Sequence, residues 1–386
     1  MSIGSIKNKI NFILKQNLKK QTFKKEYRIN FDNEVENFIN TYSKRIPNEL
    51  NLNHYTDLLG NIDFKDRIKN LQIVKNAINF EKKVNFKKNH NIKNNIEELE
   101  KNGITNIKFL DFSKEKIKSF LNKVDKLKRY KGHTIHHAEG DPVEKSEMRE
   151  NNFYCFESRK ILEFTEIQDL LNNENLKNFV YEYFGCLPTL NSLNVYVTTK
   201  SNEEKSVQMF HRDNEDFKNL NIFFLLQDTK KNNGGHAFIK GSHNPNSLKK
   251  IINKEEFNQI KIVAKKEYDL ELNSIDDLCN LPKDGYGYEK IYKFIKKNEV
   301  DVHGDAGKIF AEDNFGLHKS IKNTNNRIIF WLSFSLTSQG VLRYCITHKI
   351  LRKFIPKRIY YSKIKNNMDS SFFNKYVYRH YINYLK

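Results

Sequence analysis

The sequence is poor in the residues that mark extracellular or membrane proteins. Its four cysteines, Cys155, Cys186, Cys279 and Cys345, stand far apart without a C-x-x-C pair. That excludes a disulfide framework and leads to an expectation of reduced thiols in a cytoplasmic protein. The longest apolar stretches, 221–226 and 328–336, fall far short of the roughly 20 residues a membrane-crossing helix needs. Lys7 and Lys9 interrupt the N-terminal apolar positions before a hydrophobic segment can form, so no secretory signal is expected. Low-complexity linkers and internal repeats are also missing, which leaves one enlarged domain as the default for 386 residues. Acidic residues are comparatively scarce: 47 Asp and Glu face 67 Lys and Arg, for a net charge of +20. Such a balance favours anionic partners. However, the Lys and Asn excess runs evenly through segments that read as strands and turns, as a compositional bias produces without a binding face.

Aromatic residues are plentiful, with 29 Phe and 19 Tyr to fill a core. Residues 1–130 are polar, with apolar positions at roughly helical spacing, such as Ile10, Ile13 and Leu14, then Ile117, Phe120, Leu121 and Val124. They predict a helical N-terminal region packed on the core. From about 150 the period shortens, and strands are expected at 153–156, 193–199, 207–213, 220–226, 236–240, 308–311 and 327–336. Asn232-Asn233-Gly234-Gly235 is the clearest turn, because Asn and Gly tolerate positive φ. Several short strands separated by turns predict a mainly β architecture, an antiparallel barrel or jelly roll, over 131–340. A charged helical insertion over 245–300 is placed as a lid or recognition element, and a basic extension follows over 341–386. That extension holds no acidic residue between Arg343 and Lys365. Ile346, Ile350, Phe354 and Ile355 would suit a membrane-surface helix, although a packed helix with a solvated face is preferred.

Chemistry enters with histidine. A mononuclear non-haem iron site uses two imidazoles and one carboxylate on one side of the metal, leaving the other side open. On a strand, His211 and Asp213 project to the same side and can converge on one ion. Three His-x-acid pairs occur: His137/Glu139, His211/Asp213 and His303/Asp305. About one or two are expected by chance, so context must decide. His211 and Asp213 read as strand residues followed by an apolar strand, a Gly-rich turn and a third strand, whereas His303 and Asp305 lead into Gly307 and a turn. His243 is read as structural. The cluster His133, His136, His137 lacks a converging spacing and is read as a loop near the site's mouth.

The runs Phe-His-Arg-Asp (210–213), Phe-Leu-Leu-Gln-Asp-Thr-Lys-Lys-Asn-Asn-Gly-Gly (224–235), Lys-Gly-Ser-His (240–243), Gly-Asp-Ala-Gly (304–307) and Leu-His-Lys-Ser (317–320) resemble, in order, the phytanoyl-CoA dioxygenase family. The resemblance covers about residues 150–340 and departs from the pattern at Lys240, where proline is usual. It implies a double-stranded β-helix (cupin-like) that uses Fe(II), 2-oxoglutarate and O2 to hydroxylate an unactivated C–H bond of a small metabolite. It also implies that His211, Asp213 and His318 are the metal-binding catalytic residues, and that Arg327 clamps the far carboxylate of 2-oxoglutarate, with Ser320 and Asn194 as further co-substrate contacts. Retention of Asp213 points to oxygen transfer rather than halogenation. Guanidinium suits that carboxylate as a planar fork, and alternation along 327–334 puts Arg327, Ile329, Trp331 and Ser333 on the lumen face, opposite Ile328, Phe330, Leu332 and Phe334. The excess positive charge favours an anionic or carrier-linked substrate.

The sequence admits two rival readings. His-Arg-Asp also opens the protein-kinase catalytic loop, but Lys218 stands where that loop's Asn belongs, and the phosphate loop and Asp-Phe-Gly are missing. The other is a non-catalytic basic protein on a β-helix scaffold, binding nucleic acid or a membrane surface, with steep salt dependence. A nucleic-acid partner is not expected.

Overall fold

A computed structural model describes residues 90–335, apart from 133–138, 186–188, 202, 203, 205, 214–217, 280 and 282–287. The three-histidine cluster at 133–137, most of the N-terminal region and the basic extension lie outside the described residues.

Where the sequence reads as uniformly helical, strands are interleaved with helices. Helix α1 (His90–Asn102) ends at Gly103 (φ 79°), β1 (Ile104–Ile107) follows, and α2 (Lys114–Val124) leads to β2 (Arg129–Lys131). Among the described residues up to 130, helices α1 and α2 thus alternate with β1 and the start of β2; strands of four and three residues are too short to impose a period on flanking helices. Helix α2 starts where Ser113 Oγ accepts from the Lys116 amide, and buries Ile117, Phe120 and Val124. This is the i, i+3, i+7 stripe of a helix packed on one side.

Then come β3 (Glu139–Val143), β4 (Phe153–Phe156), helices α3 (Ser158–Leu162), α4 (Thr165–Asn172) and α5 (Glu174–Phe184), β5 (Thr189–Thr198), β6 (Asn219–Leu225) and β7 (His236–Ile239). The insertion carries α6 (Pro245–Ile251), α7 (Lys254–Tyr268) and α8 (Glu289–Tyr292), before β8 (Glu299–Val302), β9 (Ile309–Glu312), β10 (His318–Ser320) and β11 (Arg327–Ser335). Two antiparallel sheets result, one in the order β1-β9-β6-β11-β5-β4-β2-β3 and the other β10-β7-β8. The turn between β6 and β7 has Asn232 at φ 57° and Gly234 at φ 70°, the left-handed pair its composition predicts.

Period-two alternation divides the molecule into layers. Outward residues of the large sheet, including Leu193, Val195, Ile222, Phe224, Phe330, Leu332 and Phe334, pack beneath α1 to α5. Inward residues Phe223, Phe310 and Ile329 meet Phe238 and Val302 of the small sheet across a lumen, with Trp331 packed against them. Beyond the small sheet, Ala237, Ile239 and Leu317 pack against the insertion's Leu248, Ile260, Ala264 and Tyr292. The face assignment made for β11 therefore matches the layering.

Phe330 sits between Phe120 (5.5 Å) and Phe224 (4.7 Å) in the outer core. Its replacement by alanine should cost about 3–5 kcal/mol through lost transfer energy and an unfilled cavity, read as a lower denaturant midpoint at unchanged slope.

Candidate metal centre

The segment read as a strand over 207–213 is not one. A 3-10 turn covers Ser206–Gln208, and His211 makes an isolated antiparallel bridge to His318. The two main chains exchange N–H to O bonds of 3.0 Å in both directions. That bridge brings a residue 107 positions distant beside the His-x-Asp pair, and the Asp213 amide donates to Asn314 O at 2.9 Å.

The three side chains converge. One ligand atom each from His211, Asp213 and His318 can be chosen so that all lie within 4.8 Å of one another. His318 Nε2 is 3.6 Å from Asp213 Oδ2, and His211 Nε2 is 4.0 Å from Asp213 Oδ1. Both rings are fixed from behind: Nδ1–H of His211 donates to Met209 O (2.8 Å), and Nδ1–H of His318 donates to Gly316 O (2.9 Å). This leaves both Nε2 atoms to face the carboxylate, the orientation metal-ligating histidines show. Asn314 Nδ2 donates to Asp213 Oδ2 at 3.1 Å. Gly316 itself admits no side chain, since a Cβ would stand 2.1 Å from the Phe238 ring.

The electrostatics favour a cation. Burial drives the His211 imidazole down to about 4, reinforced by repulsion from His318. Burial opposes protonation of His318 as well, but the Glu312 carboxylate and the hydrogen bond to Asp213 outweigh it and raise it to about 9. The carboxylates of Asp213 and Glu312 thus favour positive charge beside His318, a charge that a bound metal ion would supply.

Arg327 is 1 % exposed, and its Nη1 donates to Ser320 Oγ at 3.1 Å. Its Nε and Nη2 have no partner, although Tyr196 faces the guanidinium and helps keep it charged against burial, which lowers its pKa. Asn194 is buried opposite Trp331, four residues along β5 from Thr198, the register partner of Arg327. The second His-x-Asp pair is elsewhere: His303 Nδ1 meets Asp301. His243 Nε2–H donates to Glu100 O at 2.9 Å, tying α1 to the turn after β7.

Sequence reasoning missed four residues. Tyr196 lies two places after Asn194 on the same strand face, a signal that alternation could have exposed. Glu312, fully buried, accepts from His236 Nε2–H at 2.7 Å, and an acidic residue closing an otherwise apolar strand was its signature. Asn314 has no sequence signal. Arg212, between the two candidate ligands, donates to the main-chain carbonyls of Ser242 (2.6 Å), Phe315 and Leu278.

Cys155 projects into the lumen layer, and burial pushes its thiol up to about 12. At pH 8 it holds roughly a thousandth of the thiolate of an ordinary cysteine. It should resist iodoacetamide in the folded protein and react only on unfolding, as peptide mapping after alkylation would report.

No protein-family model matches the sequence, and no curated protein does. Solved structures resemble the fold weakly. A crystal structure of AviO1 from Streptomyces viridochromogenes Tue57 is 15% identical with a TM-score of 0.38, covering 64% of this chain and 96% of that one. The epimerase SnoN, in complex with Fe3+, alpha ketoglutarate and nogalamycin RO, is 12% identical with a TM-score of 0.38, over 63% and 82%. HygX from Streptomyces hygroscopicus, with nickel and 2-oxoglutarate bound, is 12% identical with a TM-score of 0.37, over 61% and 84%. Among the described residues no helix is long and apolar enough to cross a membrane.

Proposed function

We propose that the chain is an Fe(II)- and 2-oxoglutarate-dependent oxygenase built on a double-stranded β-helix, akin to the phytanoyl-CoA dioxygenase family, which hydroxylates an unactivated C–H bond of a small metabolite. The observation that carries this reading is the meeting of His211, Asp213 and His318 in a protein that also buries a guanidinium with two unpartnered nitrogens. The donor set fits a first-row divalent ion: two imidazole nitrogens and one carboxylate oxygen, with the rest of the coordination sphere left to other ligands. The orphaned Nε and Nη2 of Arg327 fit a carboxylate, since buried donors without acceptors cost about 1–3 kcal/mol each.

Ferrous iron with 2-oxoglutarate and O2 supplies an oxidant that converts R–H to R–OH, with succinate and carbon dioxide as co-products. The chain does the holding and shielding. His211 and His318 present Nε2 because Met209 O and Gly316 O hold their Nδ1 protons. Asp213 is aimed by Asn314. Arg327, steadied by Ser320, receives the far carboxylate, with Asn194 as a further contact. Phe223, Phe310 and Trp331 line the lumen and keep water from the reacting carbon.

Residues 131–340 form the proposed oxygenase domain, with β1 and β2 completing its large sheet. The N-terminal region and the basic extension flank it, and the insertion serves as the recognition element. A cytoplasmic location is part of the same proposal. Incubation of the full chain with Fe(II), 2-oxoglutarate and O2 should release succinate slowly without substrate and faster with it. Failure of 2-oxoglutarate to bind the metal-loaded protein overturns the reading in favour of a non-catalytic basic protein.

A further inference from the structure

We propose that the lumen beside the metal centre receives a hydrogen-bond-donating, non-anionic part of the substrate, hydroxyl or ammonium, on a polar row formed by Glu312, Asn221 and Ser333. The proposal rests on the oxygenase reading and names the substrate class for that same site. In register, Glu312 of β9 stands opposite Asn221 of β6, and Asn221 stands opposite Ser333 of β11. All three share the face of Phe310, Phe223 and Trp331, the lumen side of the large sheet. Directly opposed residues on one face lie within about 5 Å at Cβ, so the row is continuous across three strands.

Its polar atoms are not used up by the fold. Glu312 is 0 % exposed and Asn221 1 %, yet Glu312 Oε1 and Asn221 Oδ1 have no partner, and neither has Trp331 Nε1. Glu312 Oε2 is already occupied by His236, whose ring lies 5.7 Å from that of His318. The free oxygen therefore belongs to a residue one ring removed from the metal centre. Unpartnered buried polar atoms are costly; the two acceptors match an N–H or O–H donor of either kind, and a hydroxyl could in addition accept from Trp331 Nε1–H. Phe223 and Trp331 stack at 5.8 Å with only 6° between their planes, a flat apolar wall for the carbon skeleton beside the polar row. An anionic group here would meet the Glu312 carboxylate. The anionic substrate suggested by overall charge is thus disfavoured at this end of the lumen, and Arg327 is reserved for 2-oxoglutarate.

The test uses the full chain loaded with Mn(II) and 2-oxoglutarate, whose binding is measured first. Ligand-observed NMR then compares three probe sets of matched carbon skeletons: neutral polyols, amino-polyols and polyol phosphates. Polyols or amino-polyols should bind, with the phosphates at least about tenfold weaker, because a site built for donors rejects groups that leave its acceptors unpaired. Asn221→Leu should weaken either donor class about tenfold. Glu312→Gln distinguishes the sources: a selective loss of amino-polyols identifies an ammonium, and no selectivity identifies a hydroxyl. If Glu312→Gln does not fold, Asn221→Leu and Ser333→Ala carry the test. The proposal is overturned if the phosphates bind as well as the donors, if these variants leave affinity unchanged, or if no donor probe binds protein that does bind 2-oxoglutarate. Wild-type protein that binds no 2-oxoglutarate overturns the oxygenase reading instead.

Discussion

His318→Ala should abolish 2-oxoglutarate turnover and weaken Mn(II) or Fe(II) binding by well over the roughly 10- to 100-fold that loss of a partner behind a ligand brings. The reason is geometric. His318 Nε2 is the nearer imidazole to Asp213, at 3.6 Å, against 4.0 Å for His211 Nε2, and its Nδ1–H is already committed to Gly316 O. Removing the ring leaves one nitrogen and one carboxylate, too few to hold a labile divalent ion against water. The bridge between residues 211 and 318 is made by main-chain groups and should persist, so circular dichroism should show an intact fold. Mn(II) titration followed by electron paramagnetic resonance reads the loss; an unchanged affinity would remove His318 from the ligand set.

The second large effect is expected at Arg327. Its guanidinium is buried with Ser320 and Tyr196 beside it but with Nε and Nη2 unpartnered, an arrangement that costs stability in the free protein and that a carboxylate ligand would relieve. Arg327→Met should therefore move two measurements in opposite directions. The dissociation constant of 2-oxoglutarate should rise about a hundredfold or more, since charged hydrogen bonds contribute about 1.5–3 kcal/mol each. Ligand-free stability should hold or increase, because an apolar side chain of similar length replaces a buried charge without loss of packing. Calorimetric titration in the presence of Mn(II), with thermal melts of the ligand-free protein, separates the two. A variant that is destabilised yet binds 2-oxoglutarate normally would make Arg327 a structural cation.

The parts of this arrangement that follow from local chemistry could be read in the sequence. Alternation along residues 327–334 separates lumen from core because a strand offers only two faces, and Asn232 to Gly235 mark the turn because few residues accept positive φ. The His-x-Asp spacing was recognised through a strand that does not form: His211 and Asp213 are positioned instead by hydrogen bonds to residues 318 and 314. What escaped was long-range. Glu312 meets His236 across 76 residues, and Arg212 reaches Leu278 across 66. No periodicity encodes such pairs, which depend on how the sheets stack. Strands β1 and β2 escaped for the opposite reason, being too brief to register between helices.

Arg212 has a bearing on how such a molecule could diversify. Its hydrogen bonds reach the insertion and the neighbouring turns only through peptide oxygens, at Leu278, Ser242 and Phe315, which every amino acid supplies. Surface side chains of the segment between β7 and β8 can thus be exchanged wholesale while its mooring to the centre survives. A chimera whose segment keeps Leu248, Ile260, Ala264 and Tyr292 while its exposed side chains are exchanged should therefore keep the geometry of His211, Asp213 and His318 and acquire a different clientele.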